Sequence, residues 1–334
     1  MVLKAAIVTG PTGQDGSYLT EFLLEKGYDV KCLIRRCTYP LSSSNLKVKS
    51  DSLKIYEGDV LDQPIIHKMI QDCEGYERVE IYNLAAQSHV GVSFNCPKYT
   101  FEANTLGILN ILETVRQHKN PEKFRVYQAS TSEMFGKVQE IPQKETTPFY
   151  PRSVYGVSKM AAHWLVKNYR ESYGIHASAG ILFNHESPRR GNDFVTKKIV
   201  VGLKEVFSGQ SECIELGNLD AKRDWGHAQD YIEAMWMMLQ QETPDDYVVA
   251  TGKTYSVREF VEMCCIQMCK TISWEGQGEN EIGICDGKPI VKVSSAFYRP
   301  CEVDLLVGDS QKIQNVGWKP KHDIHSLIRD MIQN

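Results

Sequence analysis

The 334-residue sequence predicts an α/β fold, a doubly wound parallel sheet followed by a smaller mixed α/β C-terminal domain. Three observations carry that expectation. Short apolar runs alternate with amphipathic helical patterns through the first half, as in repeated strand-helix units on a parallel sheet. A glycine-rich turn, Thr9-Gly10-Pro11-Thr12-Gly13-Gln14-Asp15-Gly16, sits between the first strand pattern and the first helix pattern. Beyond Phe183 the alternation gives way to mixed loops, helices and isolated strands.

Taken in order, strands are expected at Ala5 to Thr9, Val30 to Ile34, Leu53 to Glu57, Glu80 to Leu84, Arg125 to Ala129 and Ala177 to Phe183. The helix from Ser17 to Lys26 places Leu19, Phe22 and Leu23 on one face and stops at Gly27, a residue suited to a left-handed helix end. Asp230 to Gln240 and Tyr247 to Ala250 read as a late return to the main sheet, so the two domains interleave: 1–183 with about 224–250, and about 184–223 with 251–334. The Gly/Glu/Asn-rich run from Glu275 to Gly287 reads as a surface loop. No internal repeat or low-complexity segment stands out.

Composition is ordinary for a globular chain, with 42% hydrophobic and 24% charged residues. A net charge of -4 gives no general affinity for nucleic acid or acidic membrane, so anionic ligands must be met by local basic clusters. No apolar run nears the roughly 20 residues of a membrane span, and Met1-Val2-Leu3-Lys4 leads straight into a strand, so a cytosolic protein is expected. The ten cysteines are scattered without metal-ligand spacing, and no metal is expected. Cys264, Cys265 and Cys269 lie in or beside a helical pattern, Val257 to Met268, and are read as core.

The glycines at 10, 13 and 16 let backbone N–H groups approach a pyrophosphate at a helix N-terminus, whose dipole favours negative charge. Lying at the first strand-helix junction, they mark a dinucleotide site. Where an acidic residue would hold a ribose 2'-hydroxyl, the chain has Arg35 and Arg36, which suit a 2'-phosphate and hence NADP. A solvated basic turn is the competing reading for either arginine alone.

Tyr155 and Lys159 stand four residues apart on a helix pattern, which puts phenol and ammonium on one face. The ammonium, with a nicotinamide cation nearby, should bring the phenol from about 10 towards neutral pH. An ordinary amphipathic helix with a packed tyrosine competes with that reading.

The three glycines, the hydroxyl cluster Ser130-Thr131-Ser132 and the Tyr155/Lys159 pair together resemble the extended short-chain dehydrogenase/reductase class. Thr9 to Ser17, Ala129 to Gly136, Lys137 to Tyr150, Asn184 to Gly191, Gly217 to His227 and Tyr298-Arg299-Pro300 narrow the resemblance to the GDP-mannose 4,6-dehydratases. It implies a Rossmann-like NADP domain (1–183 plus about 224–250) and a nucleotide-sugar domain. It also implies a homo-oligomer, tetramer or dimer, in which cofactor loops approach a neighbouring subunit.

Carried over residue by residue, the resemblance implies Thr131, Glu133, Tyr155 and Lys159 as catalytic. It implies cofactor contacts from Gly10, Pro11, Thr12, Gly13, Gln14, Asp15, Arg35, Arg36, Asp59, Val60, Leu84, Ala85, Ala86, Gln87, Ser88, Tyr99, Lys159, His185 and Arg190. Asp59 would accept the adenine amino group, and Leu84 to Ser88 would lie near the phosphates. Cys37-Thr38 departs from the serines that relatives often carry there. The implied substrate, GDP-mannose, carries a diphosphate, for which Asn184, Lys198, Arg223 and Arg299 are candidates, with Glu302 for ribose or guanine donors. Asp224, Trp225 and Asp230 are read as bracing the domain junction.

The implied chemistry begins with Tyr155 taking the proton of the sugar 4-hydroxyl as C4 is oxidised, Lys159 holding the phenolate and Thr131 bonding the same oxygen. Spacing does not select among Ser130, Thr131 and Ser132. Glu133 would remove the C5 proton and pass it to the departing 6-hydroxyl, and such a carboxyl group should be buried beside the cofactor. An epimerase or ketoreductase would need Tyr155 and Lys159 but no elimination acid, while a non-catalytic NADP sensor would need none of the three. Added reduction of the 4-keto product is open at this stage.

Overall fold

The structure, a computed structural model, describes residues 4–38 and 40–334. Strands β1 (Lys4–Thr9), β2 (Asp29–Ile34), β3 (Leu53–Glu57), β4 (Arg78–Asn83), β5 (Phe124–Thr131) and β6 (His176–Leu182) form one parallel sheet. Short strands follow at β7 (Asn184–Glu186), β8 (Ile214–Leu216), β9 (Lys222–Arg223) and β10 (Trp225–His227). Strand β11 (Asp246–Val249) then returns to the main sheet beside β6, giving the order β11-β6-β5-β4-β1-β2-β3. The order reverses beside β1, and in such sheets ligands bind at the carboxyl ends of the strands around that reversal.

Helices α1 (Gln14–Glu25), α2 (Gln63–Gln71), α3 (Val90–Asn95), α4 (Pro97–Phe101), α5 (Gly107–Arg116) and α6 (Val154–Tyr173) connect the strands, followed by α7 (Val195–Phe207), α8 (Ala228–Gln240) and α9 (Val257–Gln267). One core, on the face bearing α2, α5 and α6, buries Ile70, Ile81, Ile111, Leu112, Val126 and Val166. The opposite face buries Leu19 and Leu23 of α1 with Tyr231 and Met235 of α8. Because both faces are covered, the strands read as continuous apolar runs rather than alternating ones.

A third core joins α7, α9 and the last helix, Ile324–Gln333, to a four-stranded sheet of β8 with Ser273–Glu275, Ile282–Cys285 and Lys288–Val293. The surface loop expected across Glu275 to Gly287 is therefore corrected. Ile282–Cys285 pairs with strands on both sides and buries Gly283 and Cys285. Cys264 and Cys265 are core as expected, but Cys269 falls beyond the end of α9, at φ 58°, and is exposed.

Buried Asp224 accepts from Thr251 N, Thr251 Oγ1 and Gly252 N at 2.9, 2.6 and 2.8 Å, while Asp230 accepts from Lys321 N and His322 N. Both carboxylates thus tie late segments to the sheet region. Among the described residues, no helix is long and apolar enough to cross a membrane, and no cluster of three His, Cys, Asp or Glu could hold a metal.

Candidate active site

The end of β1 is organised by Thr9, whose hydroxyl donates to Asn83 Oδ1 at 2.8 Å and accepts from Leu84 N and Ala85 N. That bond set fixes the Leu84–Ser88 loop against the glycine turn. Gly10 lies at φ 71°, and a Cβ on Gly16 would stand 2.2 Å from Gly10 O and 2.6 Å from Pro11 Cα. The turn can close onto α1 only with glycine at these positions.

Gln14 and Asp15, expected at the cofactor, spend their side chains inside the protein. Gln14 Nε2 donates to His185 O at 3.0 Å and Gln14 Oε1 accepts from Ser187 Oγ at 2.8 Å. Asp15 Oδ2 lies 2.8 Å from His185 Nε2, while His185 Nδ1 faces Phe183 O at 2.7 Å. Burial alone would raise Asp15, but the charge and hydrogen bond of His185 outweigh it and hold the carboxyl at about 2. His185 is raised in turn, its burial outweighed by Asp15.

Strand β5 delivers Ser130 and Thr131, and a short turn at its end carries Glu133, whose backbone N–H donates to Thr131 Oγ1 at 3.3 Å. Ser130 Oγ lies 3.2 Å from Nδ1 of His163 and is committed to that ring. Helix α6 is capped by Ser153, whose Oγ accepts from Gly156 N at 3.0 Å. A Cβ on Gly156 would stand 2.8 Å from Glu133 O, so glycine there lets the helix seat Tyr155 against the Glu133 turn.

Thr131, Glu133, Tyr155 and Lys159 all line one cleft of about 660 Å³ and are each less than a tenth exposed. The Lys159 ammonium donates to Ala129 O at 2.9 Å. Burial pushes the Tyr155 phenol up to about 12, opposed by the Thr131 side chain, so the protein's own groups do not supply the lowering expected with a nicotinamide cation nearby. Burial pushes Lys159 down to about 8, against the charge of Asp15. The protein's own groups therefore disfavour charge on both partners.

The same cleft is lined by Asp15, Leu84, Ala86, Ser88, His185 and Arg190, and by all five expected substrate residues, Asn184, Lys198, Arg223, Arg299 and Glu302. Asn184 Oδ1 is buried without a partner. Arg223 Nη2 is 3.7 Å from Glu302 Oε1, and Arg190 Nε is 2.9 Å from Glu186 Oε2. Arg35, Arg36, Asp59, Val60 and Tyr99 are not on the cleft wall. Arg35 Nη1 nevertheless bonds Tyr99 Oη, bringing two residues 64 apart in sequence together, while Arg36 is exposed. Asp59 Oδ1 accepts from Leu61 N at 3.0 Å.

Spacing alone did not reveal Asn104, in a π-helical turn of the kind that clusters at functional sites. Its Oδ1 accepts from Gln87 N, and its Nδ2 donates to Gln87 O and Ser158 Oγ at 3.1 and 3.0 Å. It joins the Leu84–Ser88 loop to the helix turn between Tyr155 and Lys159.

A family model described as GDP-mannose 4,6 dehydratase matches residues 7–331. The chain belongs to the GDP-mannose 4,6 dehydratase family. It is 50% identical to the GDP-mannose 4,6 dehydratase of Cricetulus griseus, over 99% of this chain and 91% of that protein. The Homo sapiens enzyme of the same name is 50% identical, with coverage of 98% and 90%, and that of Vibrio cholerae is 46% identical, with coverage of 98% and 93%.

Among solved structures, a Thermus thermophilus UDP-glucose 4-epimerase in complex with NAD has a TM-score of 0.79 at 25% identity, covering 98% of each chain. A Bacillus anthracis dTDP-glucose 4,6-dehydratase in complex with NAD has 0.80 at 19% identity, covering 99% of this chain and 96% of that one. RMD of Pseudomonas aeruginosa, complexed with NADPH, has 0.75 at 21% identity, covering 99% and 98%. These likenesses show that the fold is shared over nearly the whole chain.

Proposed function

We propose that this member of the dehydratase family converts GDP-mannose to GDP-4-keto-6-deoxy-mannose and water, with NADP held at the glycine turn. The observation that carries the reading is a buried carboxyl group, Glu133, in the same cleft as Tyr155 and Lys159. Oxidation at C4 needs only the Tyr/Lys pair; elimination of water needs a further acid/base.

The residues present fit a dinucleotide phosphate. Any side chain at Gly16 would fill the cradle at the N-terminus of α1, and Arg35 and Arg36 stand exposed after β2. Asp59 and Val60, Tyr99, the Leu84–Ser88 loop, His185 and Arg190 would complete the cofactor's surroundings. When bound, the nicotinamide would supply a cationic hydride acceptor for sugar C4 and, in its neutral reduced form, the hydride returned to C6.

Tyr155 Oη receives the proton of the 4-hydroxyl, and Thr131 Oγ1, which acts on the Tyr155 phenol, bonds the same oxygen. Lys159 orients the phenol and the nicotinamide ribose. The 4-ketone acidifies C5–H; Glu133 removes that proton and delivers it to O6 as water departs. A proton then returns to C5, leaving no net redox change. Asn184, Lys198, Arg223 and Arg299 bind the diphosphate, and Glu302 accepts from ribose or guanine donors.

Residues 1–183 with about 224–250 form the cofactor domain and the remainder the nucleotide-sugar domain. The chain works in the cytosol as a homo-oligomer, dimer or tetramer. GDP-mannose deuterated at C4 tests the reaction by mass spectrometry: the product should have lost water and carry deuterium at C6. An unchanged mass, the outcome for a 4-epimerase, would refute it. Glu133→Gln should still bind substrate and NADP, with turnover reduced by roughly 10²-fold or more; parental turnover would remove Glu133 from the mechanism.

A further inference from the structure

The segment that carries Arg299 and Glu302 lies along the cleft, and its charges are engaged by other protein groups. Arg299 Nη1 lies 3.6 Å from Glu133 Oε1. It is buried and makes no hydrogen bond. Arg223, buried on the same wall, senses the charges of Glu133, Arg299 and Glu302. The Lys198 ammonium sits 3.3 Å from the centroid of the Phe297 ring. Glu133 thus faces two guanidiniums and the Tyr155 phenol, which feels its charge.

The two ends of the Glu133–Arg299 pair differ in freedom. Glu133 belongs to a turn fixed by Thr131 and packed against Gly156. The Arg299 side chain is about a third exposed, and it is tied to Glu133 by charge alone. A guanidinium prefers bidentate, charge-assisted bonds to phosphate oxygens, which a diphosphate offers and the 3.6 Å contact does not. Meanwhile a carboxylate next to a cation is a weakened base, unsuited to taking a proton from carbon.

We propose that Arg299 is a positioning residue, which holds Glu133 as its counterion until the substrate diphosphate arrives and then moves to the phosphate, releasing Glu133 as the base for elimination. Substrate occupancy at one end of the cleft thereby arms the carboxylate at the other. The proposal rests on the dehydratase reading. No atom is gained or lost in the exchange, apart from the partial proton that Glu133 takes up from solvent once its cation has left.

That proton is the readout. Tyr155→Phe cannot begin the oxidation but keeps both Arg299 and Glu133. GDP-mannose is titrated into it, with NADP present, in buffers of different ionisation enthalpy at mildly acidic pH. Net proton uptake is expected, and adding Arg299→Gln or Glu133→Gln should abolish it. Equal uptake in the Arg299→Gln background, or no binding of GDP-mannose, overturns the proposal.

In enzyme with Tyr155 intact, the carboxylate limb of kcat should lie above that of kcat/KM, since the two report bound and free enzyme. Arg299→Gln should bring the limbs together, and Arg299→Lys should partly restore the gap. An Arg299 that only binds phosphate would raise KM and leave the gap unchanged, which counts against the proposal. Failure of the parent enzyme to dehydrate GDP-mannose would sink the dehydratase reading instead, and proton uptake would still decide the exchange.

Discussion

Gly16→Ala is the sharpest single perturbation of the cofactor cradle. The new Cβ would lie 2.2 Å from Gly10 O, 2.6 Å from Pro11 Cα and 2.8 Å from Gly10 C. These are backbone atoms, so no rotamer change relieves the contact; the turn must move by more than an ångström from α1. Moving it also pulls on Gly10, whose own Cβ position is 3.0 Å from Ala85 N. Overpacking of this kind costs about 1–3 kcal/mol where side chains can yield, and backbone contacts put this site at the upper end. A displaced turn loses its aim at the pyrophosphate, and about 3 kcal/mol of lost binding is roughly a hundred-fold in Kd. Thermal melts with and without NADP, together with equilibrium dialysis, measure both effects. If Gly16→Ala melts within a degree of the parent and binds NADP with parental affinity, the cradle has been misassigned.

Arg35→Ala with Arg36→Ala should weaken NADP binding by roughly ten- to a hundred-fold, from one or two lost charge-assisted bonds, while leaving NAD affinity nearly unchanged. Fluorescence titration with each reduced cofactor checks the ratio; equal losses for both would mean the pair does not read the 2'-phosphate. The Asp15–His185 pair predicts a stability window in pH. Asp15 is depressed from 3.8 to about 2, so its contribution is present above the unfolded value and is lost as pH falls through about 2. His185 is raised, so its contribution is present below about 6.5 and is lost as pH rises through its higher folded value. Chemical denaturation across pH should show Asp15→Asn destabilised by about 2 kcal/mol or more near pH 5, with a flatter profile on both flanks; a parental profile would refute the pairing.

The fold was legible because a parallel sheet covered on both faces writes its strands as apolar runs, and because the glycine turn pins β1 to α1. All six early strands fell within two residues of expectation, the largest differences being the earlier start of β4 at Arg78 and the later end of β5 at Thr131. Ile282–Cys285 escaped because four residues, one of them glycine, make a weak strand signal inside a run of turn formers; its register comes from the hairpin partner, Lys288–Val293. Residue types at the site were legible too, but their partners were not. Gln14 with Ser187, Asp15 with His185 and Glu133 with Arg299 are separated by more than 160 residues and meet only because β7 and the late segment return across the carboxyl ends of the sheet.

Tyr155 and Lys159 show how spacing can give the right neighbours without the burial that acts on both. Four residues on a helix put the two groups on one face, and that alone argues for a depressed phenol. In the folded chain both are buried, Lys159 is bonded to the carbonyl of Ala129, and burial opposes charge on each. With the phenol up at about 12, the phenolate is disfavoured at neutral pH, and the Lys159 ammonium, whose own charge burial disfavours, does not offset that. The missing stabilisation must come from a positive charge that enters this buried space, where charge interactions are strong. On the proposed reading, Tyr155 would stay protonated in the unloaded protein and become a base only beside an oxidised nicotinamide. On this argument the burial that contradicts the simple spacing rule is what ties proton removal to the availability of a hydride acceptor.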